Sequence, residues 1–72
     1  MASITFTIQK HIATLSTSKK GWTTEVNLIS WNGAPAKIDV RDWSPDHDKM
    51  GKGITLTPDE AHKLLNALRR KI

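Results

Sequence analysis

Three tryptophans and an interleaved set of lysines and arginines are the residues of this chain best equipped for chemistry. Trp22, Trp31 and Trp43 lie in the first two-thirds of the sequence, each flanked by polar or charged residues. Lys19, Lys20, Lys37, Arg41, Lys49 and Lys52 stand among them. An indole ring offers a π face on which any nucleobase can stack, while ammonium and guanidinium groups track phosphates. A duplex hides its base faces, so a surface of this kind discriminates in favour of single strands. Plainer roles compete. A tryptophan in a small domain often fills the core, and Lys37 and Arg41 could simply solvate an exposed face.

Catalytic constellations are weaker. Asp46-His47-Asp48 brings acid, base and ligand types together, but adjacent residues point in different directions and nothing else completes a set. A solvated loop is the simpler expectation there. His11, His47 and His62 are scattered without the i, i+4 spacing that would grip zinc, and cysteine is absent, which removes thiolate sites and disulfides. His62 reads as a solvated histidine on the polar side of a helix. Glu25, Asp39 and Asp42 lie near Lys37 and Arg41, where ion pairs account for them. Gly51-Lys52-Gly53 is too short to cradle phosphate. The expectation is a non-enzymatic chain with no cofactor and no metal.

The elements that must position these residues are legible in outline. Ile4, Phe6 and Ile8 alternate with Thr5 and Thr7 inside a β-like stretch from residue 3 to 18. The alternation slips near Gln9-Lys10-His11, which predicts a bulge, a bend or a break into two strands. Lys19-Lys20-Gly21 signals a hairpin turn, followed by a strand from Trp22 to about Trp31. Asn32-Gly33 is the strongest turn signal in the chain. A third strand spans roughly Ala36 to Trp43, with Ile38 and Val40 on one side and Lys37, Asp39, Arg41 and Trp43 on the other. Ile29 and Trp31 share one side of their strand, while Val26, Leu28 and Ser30 take the side expected to meet the core. After the loop Ser44–Asp48, a short strand runs from Lys52 to Leu56. Thr57-Pro58-Asp59-Glu60 is a capping box opening a helix, and Arg69, Arg70 and Lys71 suit its C-terminal dipole. Ala61, Leu64, Leu65, Leu68 and Ile72 form its apolar stripe. The class is therefore α+β, an antiparallel sheet of four or five strands followed by one helix.

Size and charge set bounds on this plan. Seventy-two residues make one domain, residues 1–72, and at 38% apolar content a lone core is marginal. With no disulfide to help, self-association is the expected support. The formal charge of +4 favours polyanions only modestly. Met1 to Lys10 has the pattern of no signal peptide, and no apolar run approaches a membrane span. The expectation is a cytoplasmic chain without membrane contact.

With these elements in order, the run LSTSKKGWTTEVNLISWNGAPAKIDVRDWSPDHDKMGKGITLTPDE resembles the positive-cofactor-four family of transcriptional coactivators, most closely its small bacterial YdbC-type branch. KIDVRDW followed by KGITLTPDE carries the most specific part, and the resemblance extends over about residues 11 to 72. It implies a strongly curved four-stranded antiparallel sheet, one long helix, and a homodimer whose helices pack between two sheets. It also implies grooves that take single-stranded DNA with little sequence preference, in transcription or in replication and repair.

Residue by residue, the resemblance matches the family's stacking aromatics to Trp31 and Trp43, although Ser44 stands where the family often has a second adjacent aromatic. It matches basic positions to Arg41, Lys49 and Lys52, and places Lys19, Lys20 and Trp22 in a hairpin where basic groups are common. Met50 replaces a basic residue of some relatives. The expected interface is thus Trp31, Trp43 and Trp22 against bases, with Lys19, Lys20, Lys37, Arg41, Lys49 and Lys52 against phosphates. The helix stripe is expected to seal core and dimer interface together. Alternatives are a protein-interaction module docking on RNA polymerase or another transcription protein, and a single-stranded RNA binder or chaperone. A nucleoid-associated place in the cell follows from the DNA reading.

Overall fold

The computed structural model describes residues 4–72, so Ser3, at the start of the expected first strand, lies outside the described residues. Four strands and one helix follow in chain order: β1 Phe6–Thr17, β2 Thr23–Trp31, β3 Lys37–Trp43, β4 Met50–Leu56 and α1 Pro58–Lys71. They form a single antiparallel sheet in the order β1-β2-β3-β4. The fold is α+β. The slip near Gln9-Lys10-His11 is a bulge within one long strand, so there is no fifth strand among the described residues.

Local chemistry explains each junction. The Ser18–Trp22 turn closes through Ser18 N–H to the Trp22 carbonyl, and Gly21 takes φ 85°, a conformation that favours glycine. At the next hairpin Asn32 and Gly33 both have positive φ, 50° and 76°, and Ala34 N–H closes the turn on the Trp31 carbonyl. Positive φ at both central positions is the type I′ geometry that matches strand twist. The helix opens with both arms of its capping box: Glu60 N–H donates to Thr57 Oγ1 at 3.1 Å, and Thr57 N–H donates to Glu60 Oε1 at 2.9 Å. The Thr57 backbone N–H, with the Thr57 hydroxyl beside it, also holds the exposed Glu60 carboxyl below its ordinary value.

The sheet is curled. Register shifts interrupt β1 at three places against β2, between Ile8 and Lys10, His11 and Ala13, and Thr14 and Ser16. Each extra residue bends its strand and adds local twist. The curl brings Phe6, on edge strand β1, to 5.3 Å (ring centroids) from Trp43, on β3 two strands away. A further shift lies in β4, where Gly51 and Lys52 face Asp42.

This curl reverses the expected assignment of faces. The buried side chains are Glu25, Asn27, Ile29, Asp39, Trp43 and Ser44, and the strand residues among them all lie on the face away from the helix. The face expected to form the core is instead an open apolar groove of about 550 Å³ between sheet and helix. Val26, Ile38, Val40, Ile54 and Leu56 line it from the strands, and Ala61, Leu64, Leu65 and Leu68 from the helix. No helix residue is buried. The stripe therefore seals nothing within one chain, and Ile72, at the helix C-cap, is outside the groove lining and 96% exposed. No helix among the described residues is long and apolar enough to cross a membrane.

Gly53 faces Arg41 across the β3–β4 ladder, and an added Cβ would collide with Arg41 Cβ and the Val40 carbonyl oxygen. Alanine normally favours a strand over glycine, so a loss on this substitution isolates the collision. Gly53→Ala is expected to destabilise the fold by about 1–3 kcal/mol, the range for overpacking, read as a lower urea midpoint.

Candidate nucleic-acid interface

The inner curve of the sheet opens into a groove of about 540 Å³ lined by Ile4, Phe6, Trp31, Asn32, Arg41, Met50 and Thr55. Its architecture starts from a buried charge. Asp39 is fully buried and takes hydrogen bonds from Arg41 Nε at 2.6 Å, Arg41 Nη2 at 2.9 Å and Thr55 Oγ1 at 2.9 Å. The two arginine bonds form a fork, the geometry in which guanidinium and carboxylate match best. So held, the guanidinium carbon lies 4.9 Å from the centre of the Trp31 ring, a cation–π contact, while Nη1 reaches Met50 Sδ at 3.6 Å.

Trp31 is half-buried at the end of β2, opposite Phe6, whose ring is inclined 48° to it at 5.8 Å. Trp43 departs from expectation. It has no exposed surface, with Phe6 on one side and the His47 ring stacked 5.5 Å away. A base cannot stack on it in this conformation, because the curl has folded β1 over it. The indole N–H groups of Trp31 and Trp43 are buried without a hydrogen-bond partner among the described residues. Neither ring is thus anchored through its N–H: Trp31 is held by packing and the Arg41 guanidinium, and Trp43 by packing.

Arg41 also departs from expectation as a free phosphate cation, since its charge is already matched by Asp39 and its side chain is only 15% exposed. Trp22 lies elsewhere. It is half-buried and lines a separate cleft of about 290 Å³ with Ser44, Pro45, Asp46, Asp48 and Lys49. The lysines are all exposed and none lines the groove itself. Lys37 faces Ile29 near the Trp31 end of the sheet, Lys19 and Lys20 occupy the opposite hairpin, and Lys49 borders the Trp22 cleft. Lys52 sits in the β4 bulge and shares the parity of Ile54 and Leu56, which line the apolar groove.

The loop Ser44–Asp48 also departs from expectation. His47 is not merely solvated: its φ is 59°, its ring stacks on Trp43, and its Nε2 lies 2.8 Å from Glu25 Oε2. His11 approaches the same carboxylate from β1, Nδ1 to Oε1 at 3.5 Å, and meets Asn27 Oδ1 at 2.7 Å. Thr23 Oγ1 at 2.6 Å and Asn27 Nδ2 at 3.2 Å also donate to Glu25. Of the expected carboxylate ion pairs, only Asp39 takes an arginine; Glu25 takes histidines, and Asp42 takes the Thr24 hydroxyl. No cluster of three metal-ligating side chains occurs among the described residues.

Sequence reasoning did not assign Phe6, Asn32 or Met50 to this groove. The alternation of Ile4, Phe6 and Ile8 identified a strand but not what it would be folded against. Met50 was visible as a departure beside the basic positions, without its contact to Arg41.

Residues 18–67 match the family model described as Transcriptional Coactivator p15 (PC4). The chain belongs to that family. It is also similar to an uncharacterized protein of Treponema pallidum (strain Nichols), 51% identical over 63 residues, which cover 88% of this chain and 74% of the relative. The family is one of nucleic-acid-binding, transcriptional-coactivator domains, and β2, β3, β4, most of α1 and the groove residues Trp31, Asn32, Arg41, Met50 and Thr55 fall within the matched residues. Ile4, Phe6 and the whole of β1 precede them.

The Glu25 network has a pH signature. Burial pushes this carboxyl up, but the hydrogen bonds from Thr23, Asn27 and His47, with the His47 charge, together hold it below its ordinary 4.5. A depressed carboxylate contributes stability that is present above its unfolded value and lost as pH falls through the folded value. Urea midpoints measured from pH 7 downwards are therefore expected to begin falling near pH 4.5 and to keep falling below it. Glu25→Gln should flatten that limb and lower the midpoint at pH 7; an unchanged acid limb would disconnect Glu25 from it.

Proposed function

We propose that the chain acts as a homodimeric, non-enzymatic binder of single-stranded DNA with little sequence preference. On this reading it serves transcription regulation or DNA replication and repair, working with RNA polymerase or other transcription proteins. Its place is cytoplasmic and nucleoid-associated. The observation that carries the reading is Trp31: a large half-buried ring with a guanidinium against it, set in an open groove between lysine-bearing ends of one sheet face. An open aromatic face serves any unpaired base, and flanking lysines serve the backbone. Duplex DNA presents no such base faces.

A thymine oligonucleotide is expected to quench tryptophan fluorescence, and a fully paired duplex of equal length to bind far more weakly. Equal affinity would sink the stacking reading. With the exposed lysines Lys19, Lys20, Lys37 and Lys49 taking one phosphate each, and Lys52 turned to the other face, log affinity falls with log salt at a slope of about −2.8, using about −0.7 per single-strand contact. Trp31→Ala should cost about 1–3 kcal/mol of binding. A matched RNA oligonucleotide tests the RNA alternative, which equal or tighter binding would favour.

The dimer rests on the apolar groove. Ile12, Leu15, Ile54, Leu64, Leu65 and Leu68 keep 41–60% of their surface exposed in one chain. Covering an aliphatic side chain fully is worth about 1.5–3 kcal/mol, and contiguous apolar patches of this kind mark interaction sites. A second copy brings an identical patch, and an isologous contact closes without further growth. Sedimentation is expected to give a dimer for the native chain and a monomer of lower thermal stability for Leu65→Asp. A native chain that sediments as a monomer at micromolar concentration would refute the dimer.

A further inference from the structure

We propose that Phe6, at the start of β1, is the second aromatic to meet an unpaired DNA base in the Trp31 groove, the part that residue pattern and family resemblance give to Trp43. The inference rests on the single-strand reading above and specifies which rings perform it. Trp43 has no exposed surface, and what covers it from the groove side is Phe6 itself, at 5.3 Å. Phe6 keeps 36% of its surface open and leans on Trp31 at 48°. The two rings touch at 5.8 Å and together line a groove of about 540 Å³, and an aromatic face open to such a groove accepts any base.

The position of Phe6 is fixed by its neighbours. Thr5 N–H donates to Asn32 Oδ1 at 2.9 Å, Asn32 N–H donates to the Thr5 carbonyl at 2.8 Å, and the Thr5 hydroxyl donates to Asn32 Oδ1 at 3.3 Å. Asn32 stands at φ 50° in the turn that follows Trp31, a conformation asparagine tolerates better than most residues. The turn thus carries Trp31 on one side and pins the Phe6 segment with the other. Trp43 becomes the support beneath Phe6. The apolar groove beside the helix is a different surface: neither Ile4 nor Phe6 lines it, and both line this one. Phe6 also precedes the residues 18–67 shared with the family model, so the second ring is supplied from outside the matched segment.

The test uses the full chain with two probes of equal length, a thymine oligonucleotide and a strand of the same backbone with abasic sites. Phe6→Leu keeps apolar volume over Trp43 but removes the π face. It is expected to weaken the thymine strand at least about fivefold, within the five- to 150-fold range that stacking contributes, and to leave the abasic strand unchanged. Phe6→Trp should bind thymine as the native chain does, and Asn32→Ala, which releases the pin but keeps the ring, should lose part of that affinity. Thymine strands bearing 5-iodouracil supply a readout on the unaltered protein: photocrosslinks are expected at Phe6 and Trp31. Unchanged thymine binding by Phe6→Leu beside weakened binding by Trp31→Ala overturns the proposal and leaves the single-strand reading standing. Crosslinks at Trp43 instead of Phe6, or equal losses on both probes, overturn it as well. A native chain that binds the abasic strand as tightly as the thymine strand refutes the stacking reading itself.

Discussion

The forked pair between Arg41 and the fully buried Asp39 is the interaction on which the rest of the inner face depends. A buried charge left without its partner costs about 3–5 kcal/mol, so Arg41 is committed to Asp39 before it meets anything else. That commitment sets where its guanidinium lies, and the guanidinium in turn supports the Trp31 ring and touches Met50. It also explains the glycine opposite, since the backbone of β4 passes too close to Arg41 for any Cβ. Lysine could not replace this arginine, because a single ammonium cannot make both bonds of the fork and lacks a planar face for the ring.

Around that pair the sheet divides its two faces by chemistry rather than by simple burial. The inner face carries carboxylates, histidines, an amide and aromatic rings, nearly all paired with one another across strands. The outer face carries aliphatic side chains that one helix, meeting the sheet along β3 and β4 only, does not cover. A small chain usually hides its aliphatic residues first. Here the better-covered face is the polar one, because curling the sheet brings polar side chains within hydrogen-bond distance while leaving the convex side splayed.

Much of this plan could be read from residue order. Period-two alternation put Trp31, Asp39, Arg41 and Trp43 on shared sides of their strands, and capping residues gave the helix start to the residue. Alternation reports which residues share a side, however, not which side is covered. That depended on the bulges of β1, where only one slip in the pattern was visible, and so the burial of Trp43 under Phe6 could not be seen. The engagement of Arg41 was closer to view, since Asp39 and Arg41 lie two apart on one strand, facing the same way. His47 was beyond reach: its partner, Glu25, is 22 residues away, and only the folded loop brings them together.

The bulges have a consequence beyond curvature. Among the described residues the sheet is open, and its two outer strands, β1 and β4, each have a row of backbone groups facing no neighbouring strand. Such rows are templates on which foreign strands, or further copies, can add without limit. Three irregularities in β1 and one in β4 break the regular spacing an incoming strand would need, and Lys52 places a charge at the second of these edges. The kinks that fold Phe6 over Trp43 therefore also protect a thin, open sheet from growing into an aggregate.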